Sequence, residues 1–354
     1  MNKELRDKLK TISFVLVVFV VISHAYNLTI SPDTSEIINN RVNWFIQNAL
    51  SDGLAKIASP LFFSISGFLF YLSMNNGSFN EFPPKLRKRF KTLVIPYLLW
   101  SIYGLLLYLT LQSIPFSKAF FTNELISNLS FIQILNIILL QPIPYHLWFV
   151  RDLTMLVLIS PLLYWLIKNF NYYILTIFII FWINDIDFEI FISRSLLFFS
   201  AGAFISINKI NLSTLKSVNP YFVTIIWIGF VLLKTTLQYQ NSEYVWLVSL
   251  LHKASLLLGI ISIWMIYDYI FKNRDISNTR FYTLFQFSFF LFAFHEPTLT
   301  IIKKSLNYLM GQSELNSFLV YIIAPLATIF FSLVIGNYMK RVVPKFYYLL
   351  TGGR

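Results

Sequence analysis

Apolar runs of about 17 to 25 residues recur along the whole chain. They constrain it more than any motif does, because a helix of that length crosses a hydrocarbon core roughly 30 Å thick. A lipid interior offers the backbone no water, so such segments must close their hydrogen bonds internally as helices. Hydropathy places ten of them, at about 11–30, 54–74, 92–112, 147–167, 172–188, 191–208, 220–238, 248–271, 281–302 and 317–339. The expected fold is all-α, a polytopic membrane helical bundle of about ten transmembrane helices forming one domain over residues 1–354. Only 12% of the residues are charged, against roughly 25% in soluble domains. The apolar stretch 129–143 is short and ends Gln141-Pro142-Ile143-Pro144, so it is expected to be interfacial or re-entrant. The first run, Thr11 to Ala25, follows Lys3, Arg6, Lys8 and Lys10 as a secretory signal would. Tyr26-Asn27-Leu28-Thr29 lacks the small-x-small cleavage pattern, and the run is read as a retained first span.

A net charge of +12 would suggest phosphate-backbone binding in a soluble protein. In a membrane chain the question is which side the charges occupy, and no nucleic-acid partner is expected; the partner is the bilayer. With the N-terminus inside, 19 of the 28 Lys and Arg fall on the cytoplasmic side, while the acidic residues divide about 5 inside and 11 outside. Both termini are therefore expected to be cytoplasmic and the longest loops, about 31–53 and 113–146, external. The absence of cysteine excludes disulfides, thiolate metal sites and a Cys nucleophile together. No metal site is expected.

Four histidines make each position informative. His24 sits at the outer part of the first span, where an ionisable residue is costly and points to a function; its alternative use is as a headgroup-level anchor beside Tyr26 and Asn27. His146 precedes Trp148, Arg151 and Asp152, which share one helix face. They can form an aromatic belt with a snorkelling Arg paired to a carboxylate, or the Arg151 and Asp152 pair can orient an imidazole or hold an acceptor hydroxyl. His295-Glu296-Pro297 interrupts the ninth span, either as a tucked helix end or as lining of the same outer cavity as His24. His252 reads as interfacial. On the other side, Lys85, Arg87, Lys88, Arg89 and Lys91 open the third span, suited to anionic lipid headgroups or to a polyphosphorylated donor. Ser64-Ile65-Ser66-Gly67 permits close helix contact. A cavity for a thin flexible chain needs the same small residues.

In order along the chain, these elements resemble the membrane-bound acyltransferase-3 family, bacterial enzymes that O-acylate surface and secreted polysaccharides. The similarity runs through His24-Ala25-Tyr26, Phe62 to Phe68, Lys88-Arg89-Phe90-Lys91 with Pro96-Tyr97-Leu98-Leu99-Trp100, His146 to Leu153, and His295-Glu296-Pro297. The resemblance implies ten spans, cytoplasmic termini, residence in the bacterial plasma membrane, and an acyl-CoA donor bound from the cytoplasm, with acetyl-CoA the first expectation. It implies an essential His24, and donor phosphates held by Arg87, Lys88, Arg89 and Lys91; Ser64 and Ser66 are the small residues expected beside the donor's thin arm. At Ser13 the chain departs from the pattern, since many members carry an Arg there; Lys10 is the nearest basic residue upstream.

On this reading His24 is the general base on the acceptor hydroxyl, or a transient acyl carrier. Asp152 or Glu296 orients it, and His146, Trp148, Arg151 and His295 line the acceptor side. The acceptor is an extracytoplasmic polysaccharide or lipid-linked glycan. Homo-oligomerisation is left open. The rival class is an exporter of a polysaccharide or lipid-linked sugar, although no paired discontinuous helices occur at corresponding positions of two halves.

Overall fold

The computed structural model describes residues 3–28, 42–74, 77–118, 121, 125–189, 191–211, 218–240, 243–271, 275–311 and 313–353. Among the described residues there is no strand. The principal helices are α1 (Lys3–Ala25), α2 (Val42–Tyr71), α3 (Phe79–Ser113), α4 (Phe131–Leu139), α5 (Trp148–Leu158), α6 (Ser160–Phe170), α7 (Tyr172–Ile183), α8 (Ser193–Ile207), α9 (Pro220–Tyr239), α10 (Val245–Ile270), α11 (Ser288–Met310), α12 (Glu314–Val342) and α13 (Pro344–Thr351).

Six of these, α1, α2, α3, α9, α10 and α12, are long and apolar enough to cross a membrane. Residues Tyr145–Leu158 and Ser160–Phe170 give a seventh when their pair, bent by 63°, is taken as one span. The other three expected spans fall on helices of a different kind. At 1.5 Å per residue, α7 and α8 reach only about 18 and 22 Å, and α11 is interrupted at Glu296, whose φ −114° and ψ 134° are not helical. Pro297 removes the amide that would continue the ladder there. The surface carries what a lipid-facing bundle requires: Ile225, Leu326 and Phe330 are all more than half exposed, which would be anomalous in water.

The second and third spans begin earlier than hydropathy places them. Helical structure runs unbroken from Val42, through a π segment at Asn48–Gly53 and a 3-10 turn at Leu54–Ile57, into Ala58–Tyr71. Asn43, Gln47, Ser51 and Asp52 disguised the first part as loop. Their polar atoms are met inside the bundle: Gln47 binds the side chains of Asn27 and Asn43, Ser51 donates to the Ile22 carbonyl, and Asp52 accepts from Lys234. The basic block likewise lies on helix rather than loop, within Phe82–Arg89 and a π segment at Phe90–Val94. The 129–143 stretch contains the nine-residue α4, opened by a Ser130/Gln133 capping box and lacking any fully buried residue. It is too short to span, and its last turn receives hydrogen bonds from Tyr97, Ser101 and Arg151.

The core contact is between α2 and α8. A Cβ on Gly67 would overlap the Phe199 carbonyl oxygen, and one on Gly202 would overlap that of Ser64. The two backbones therefore meet directly, the close approach that small residues allow between helices in lipid. Around this pair, α1 packs on α11, α11 on α12 and α9 on α10.

Candidate active site

Three of the four histidines converge at the C-terminal end of α1. The His24 and His295 rings lie 5.2 Å apart, His295 and His146 4.4 Å, and His24 and His146 6.4 Å. The break in α11 turns His295, which is fully buried, toward His24, and the 3-10 turn Tyr145–Leu147 presents His146 from the other side. Lys303, one to two turns past the break, donates from Nζ to the carbonyls of His24 (2.5 Å) and Tyr26 (3.3 Å). An ammonium on the last carbonyls of α1 satisfies groups the helix leaves open and fixes the backbone from which His24 projects.

The hydrogen bonds assign the tautomers. The Phe292 carbonyl can only accept, so His295 Nδ1, 2.5 Å away, carries the proton. The Nε2 of neutral His295 is then an acceptor, and His24 Nδ1, at 3.0 Å, must donate to it. That leaves His24 Nε2 as the bare nitrogen of a half-buried ring lining a cavity of about 430 Å³. A carbonyl, a relay imidazole and a terminal base in series hold one tautomer in one orientation, as a general base requires. Replacing His295 by Phe is expected to lower kcat about 10- to 100-fold, with the acceptor KM little changed and the pH–rate profile displaced. An unaltered profile would reduce His295 to packing.

The cavity is lined by His146, Trp148 and Arg151 among the residues expected on the acceptor side, and by Tyr145, Lys56 and Arg194, to which the sequence assigned no role. Tyr145 stacks obliquely on His24 at 4.9 Å and donates to Glu296 Oε1 at 3.4 Å. Glu296, buried and also accepting from the Thr300 amide, meets the tyrosine that stacks on His24 rather than His24 itself. Asp152, fully buried, accepts from Arg151, Ser195 Oγ (2.9 Å) and the Ile192 amide (3.3 Å). Its geometry orients Arg151 rather than an imidazole. The partner of His24 is thus His295, and neither carboxylate. Among the described residues no group of three or more His, Asp or Glu side chains is disposed to hold a metal ion.

The residues expected to bind the donor stand apart from this cavity. Ser59 and Phe62 of α2 line it, whereas Lys85 donates to the Phe70 carbonyl and Ser73 Oγ at the far end of the same helix, about 16 Å along the axis. Arg89 lies over the Phe70 ring, and Arg87, Lys88 and Lys91 are exposed. Lys10 contacts Tyr282 Oη at 3.3 Å, some 21 Å down α1 from His24. Ser64 donates to the Pro60 carbonyl, and neither it nor Ser66 borders the cavity. Lys56, Arg194 and Lys303 did carry a signal in the sequence, since ionisable residues at membrane depth are costly; no motif connected them to one another.

The chain is similar over its whole length to the succinoglycan biosynthesis protein ExoH of Rhizobium meliloti (strain 1021), with 24% identity over 365 residues and 94% of that protein covered. No solved structure matches it. The sequence pattern of an acyltransferase domain, that of the acyltransferase-3 family, matches residues 9–337. The match takes in α1 with His24, the broken α11 with His295 and nearly all the helices between and after them, and on that extent the protein belongs to the acyltransferase-3 family.

Proposed function

We propose that the protein is a multi-pass plasma-membrane O-acyltransferase whose single domain, residues 1–354, moves an acyl group from cytoplasmic acyl-CoA to a hydroxyl of an extracytoplasmic polysaccharide or lipid-linked glycan. The observation that carries this reading is the Phe292–His295–His24 series ending in a bare nitrogen at a cavity wall. A relative named for the biosynthesis of succinoglycan supports a glycan acceptor. The charge bias between loops supports cytoplasmic termini, which puts the basic block inside and His24 toward the outside.

In the reaction His24 Nε2 takes the proton of the acceptor hydroxyl as its oxygen bonds to the thioester carbonyl carbon. The carbon–sulfur bond breaks, and the proton on His24 passes to the departing CoA thiolate. Arg87, Lys88, Arg89 and Lys91 hold the donor's phosphates at the other end of the bundle, so that the narrow pantetheine arm bridges the gap. Acetyl is the simplest acyl group the site would take.

The test is label transfer in proteoliposomes, from radiolabelled acyl-CoA on one face to a glycan oligosaccharide on the other. Ester-linked label on the glycan is the expected result. An exporter would move the oligosaccharide and leave it unlabelled. Arg87→Gln and Arg89→Gln are each expected to raise the donor KM about fivefold, the equivalent of about 1 kcal/mol, with abundance in the membrane unchanged. Unchanged KM in both would remove the donor role and leave lipid anchoring.

A further inference from the structure

Transfer to a neutral hydroxyl does not explain the charge around this cavity. Its lining includes three cationic side chains, Lys56, Arg151 and Arg194, and no carboxylate. The acids nearby are committed elsewhere. Asp152 is taken up by Arg151, Ser195 and the Ile192 amide. Asp52 is held by fully buried Lys234, with Nζ 2.5 Å from Oδ2, while Lys56 stands off at 3.7 Å. Asp187 accepts from the amide and hydroxyl of Ser193, and Asp185 pairs with Lys253. Among the described residues Arg194 is thus left without a counterion in contact, and Lys56 has only a share of Asp52, which Lys234 approaches more closely.

Arg194 is the more telling of the two. Its Nε is buried with no hydrogen-bond partner among the described residues. Its guanidinium carbon lies 5.7 Å from the centre of the Trp148 ring. Arg194 is half-buried overall, and a buried donor nitrogen with no acceptor is costly unless something completes it. Arg194 is also the second residue of α8, and Ile192, just before that helix, lines the cavity. The planar fork of an arginine matches a carboxylate in two bonds.

We propose that this cavity binds a carboxylate carried in by one of the reactants, either the far end of a dicarboxylic acyl group or an acidic sugar of the acceptor. Arg194 is its principal ligand, with Lys56 as the supporting charge. The inference rests on the acyl-transfer reading for its reactants but not for its anion site, and the two fail separately. The protein in proteoliposomes is given acetyl-CoA or succinyl-CoA, and a neutral or a uronate-bearing oligosaccharide, in all four combinations. Arg194→Gln is expected to lower one kcat/KM ratio at least tenfold, with partial recovery in Arg194→Lys. A fall in the succinyl-to-acetyl ratio places the carboxylate on the acyl group. A fall in the uronate-to-neutral ratio places it on the acceptor. Both ratios within twofold of wild type would overturn the proposal.

Should the wild type transfer no acyl group at all, the acyltransferase reading fails and the anion site is judged by melting temperature alone. Succinate or glucuronate is then expected to raise the melting temperature of the solubilised protein, where succinamide and glucose do not, and Arg194→Gln to abolish the rise. No anion-dependent rise in the wild type would overturn the proposal.

Discussion

His24→Ala, at membrane abundance equal to wild type, is expected to lower acyl transfer by about 10²- to 10⁴-fold, the contribution of a positioned general base. The expectation is this large because the ring stands at the end of a series whose relay imidazole is already engaged. His295 Nδ1 is engaged by the Phe292 carbonyl and its Nε2 by His24, so the relay imidazole offers no free base of its own. His146 lies 6.4 Å from the His24 ring and is almost fully buried. His24→Asn separates chemistry from architecture, since an amide N–H can still be donated to His295 Nε2 while no basic nitrogen remains. Both variants should lose esters on the host's surface glycan while the polymer itself still reaches the surface. Retention of half the wild-type ester content in either would dispose of the base assignment, and loss of the polymer itself would favour export.

Much of this site was legible in the sequence because the cost of a polar group in lipid is a strong filter. His24 and His295 stand out for that reason and His146 for its place before Trp148, Arg151 and Asp152, and the bundle brings all three together. Their pairing was not legible. Which group faces His24 depends on the break at Glu296, and a proline in a span says where a helix bends but not which way the side chain before it turns. Asp152 and Glu296 were reasonable partners on charge alone, yet Arg151 and Tyr145 respectively stand closer. The start of α2 is hidden for a related cause: hydropathy scores Asn43, Gln47 and Asp52 as exposed because it has no account of partners supplied by Asn27, α12 and α9. The short α7 and α8 show the limit of counting spans, since 15 residues of α8 are enough for a helix enclosed by other helices but not for one that faces lipid at both ends.

That enclosed helix sets up the second large effect, Gly202→Val, which is expected to leave little folded protein in the membrane. Overpacking ordinarily costs about 1–3 kcal/mol because side chains yield. Here the obstruction is the Ser64 carbonyl of α2, and backbone cannot rotate out of the way. Even the Cβ of alanine has no room at Gly202, nor at Gly67, where the Phe199 carbonyl blocks it, so Gly67→Ala should fail in the same way and about as severely. The consequence reaches the chemistry because the two helices furnish opposing parts of the cavity, Lys56, Ser59 and Phe62 from α2 and Arg194 from α8. Separating them would move Arg194 away from Lys56 before it unfolded anything else. Any surviving fraction of Gly202→Ala should therefore discriminate less between anionic and neutral reactants than wild type does. Gly229→Ala is the control: no atom lies within 4 Å of its Cβ position in the middle of α9, and removing a mid-helix glycine should stabilise by about 0.5–1 kcal/mol. Size-exclusion profiles and melting temperatures of the four variants would decide it. Wild-type melting in Gly202→Val would mean that α2 and α8 are not in direct backbone contact, and the cavity wall drawn from them would have to be abandoned.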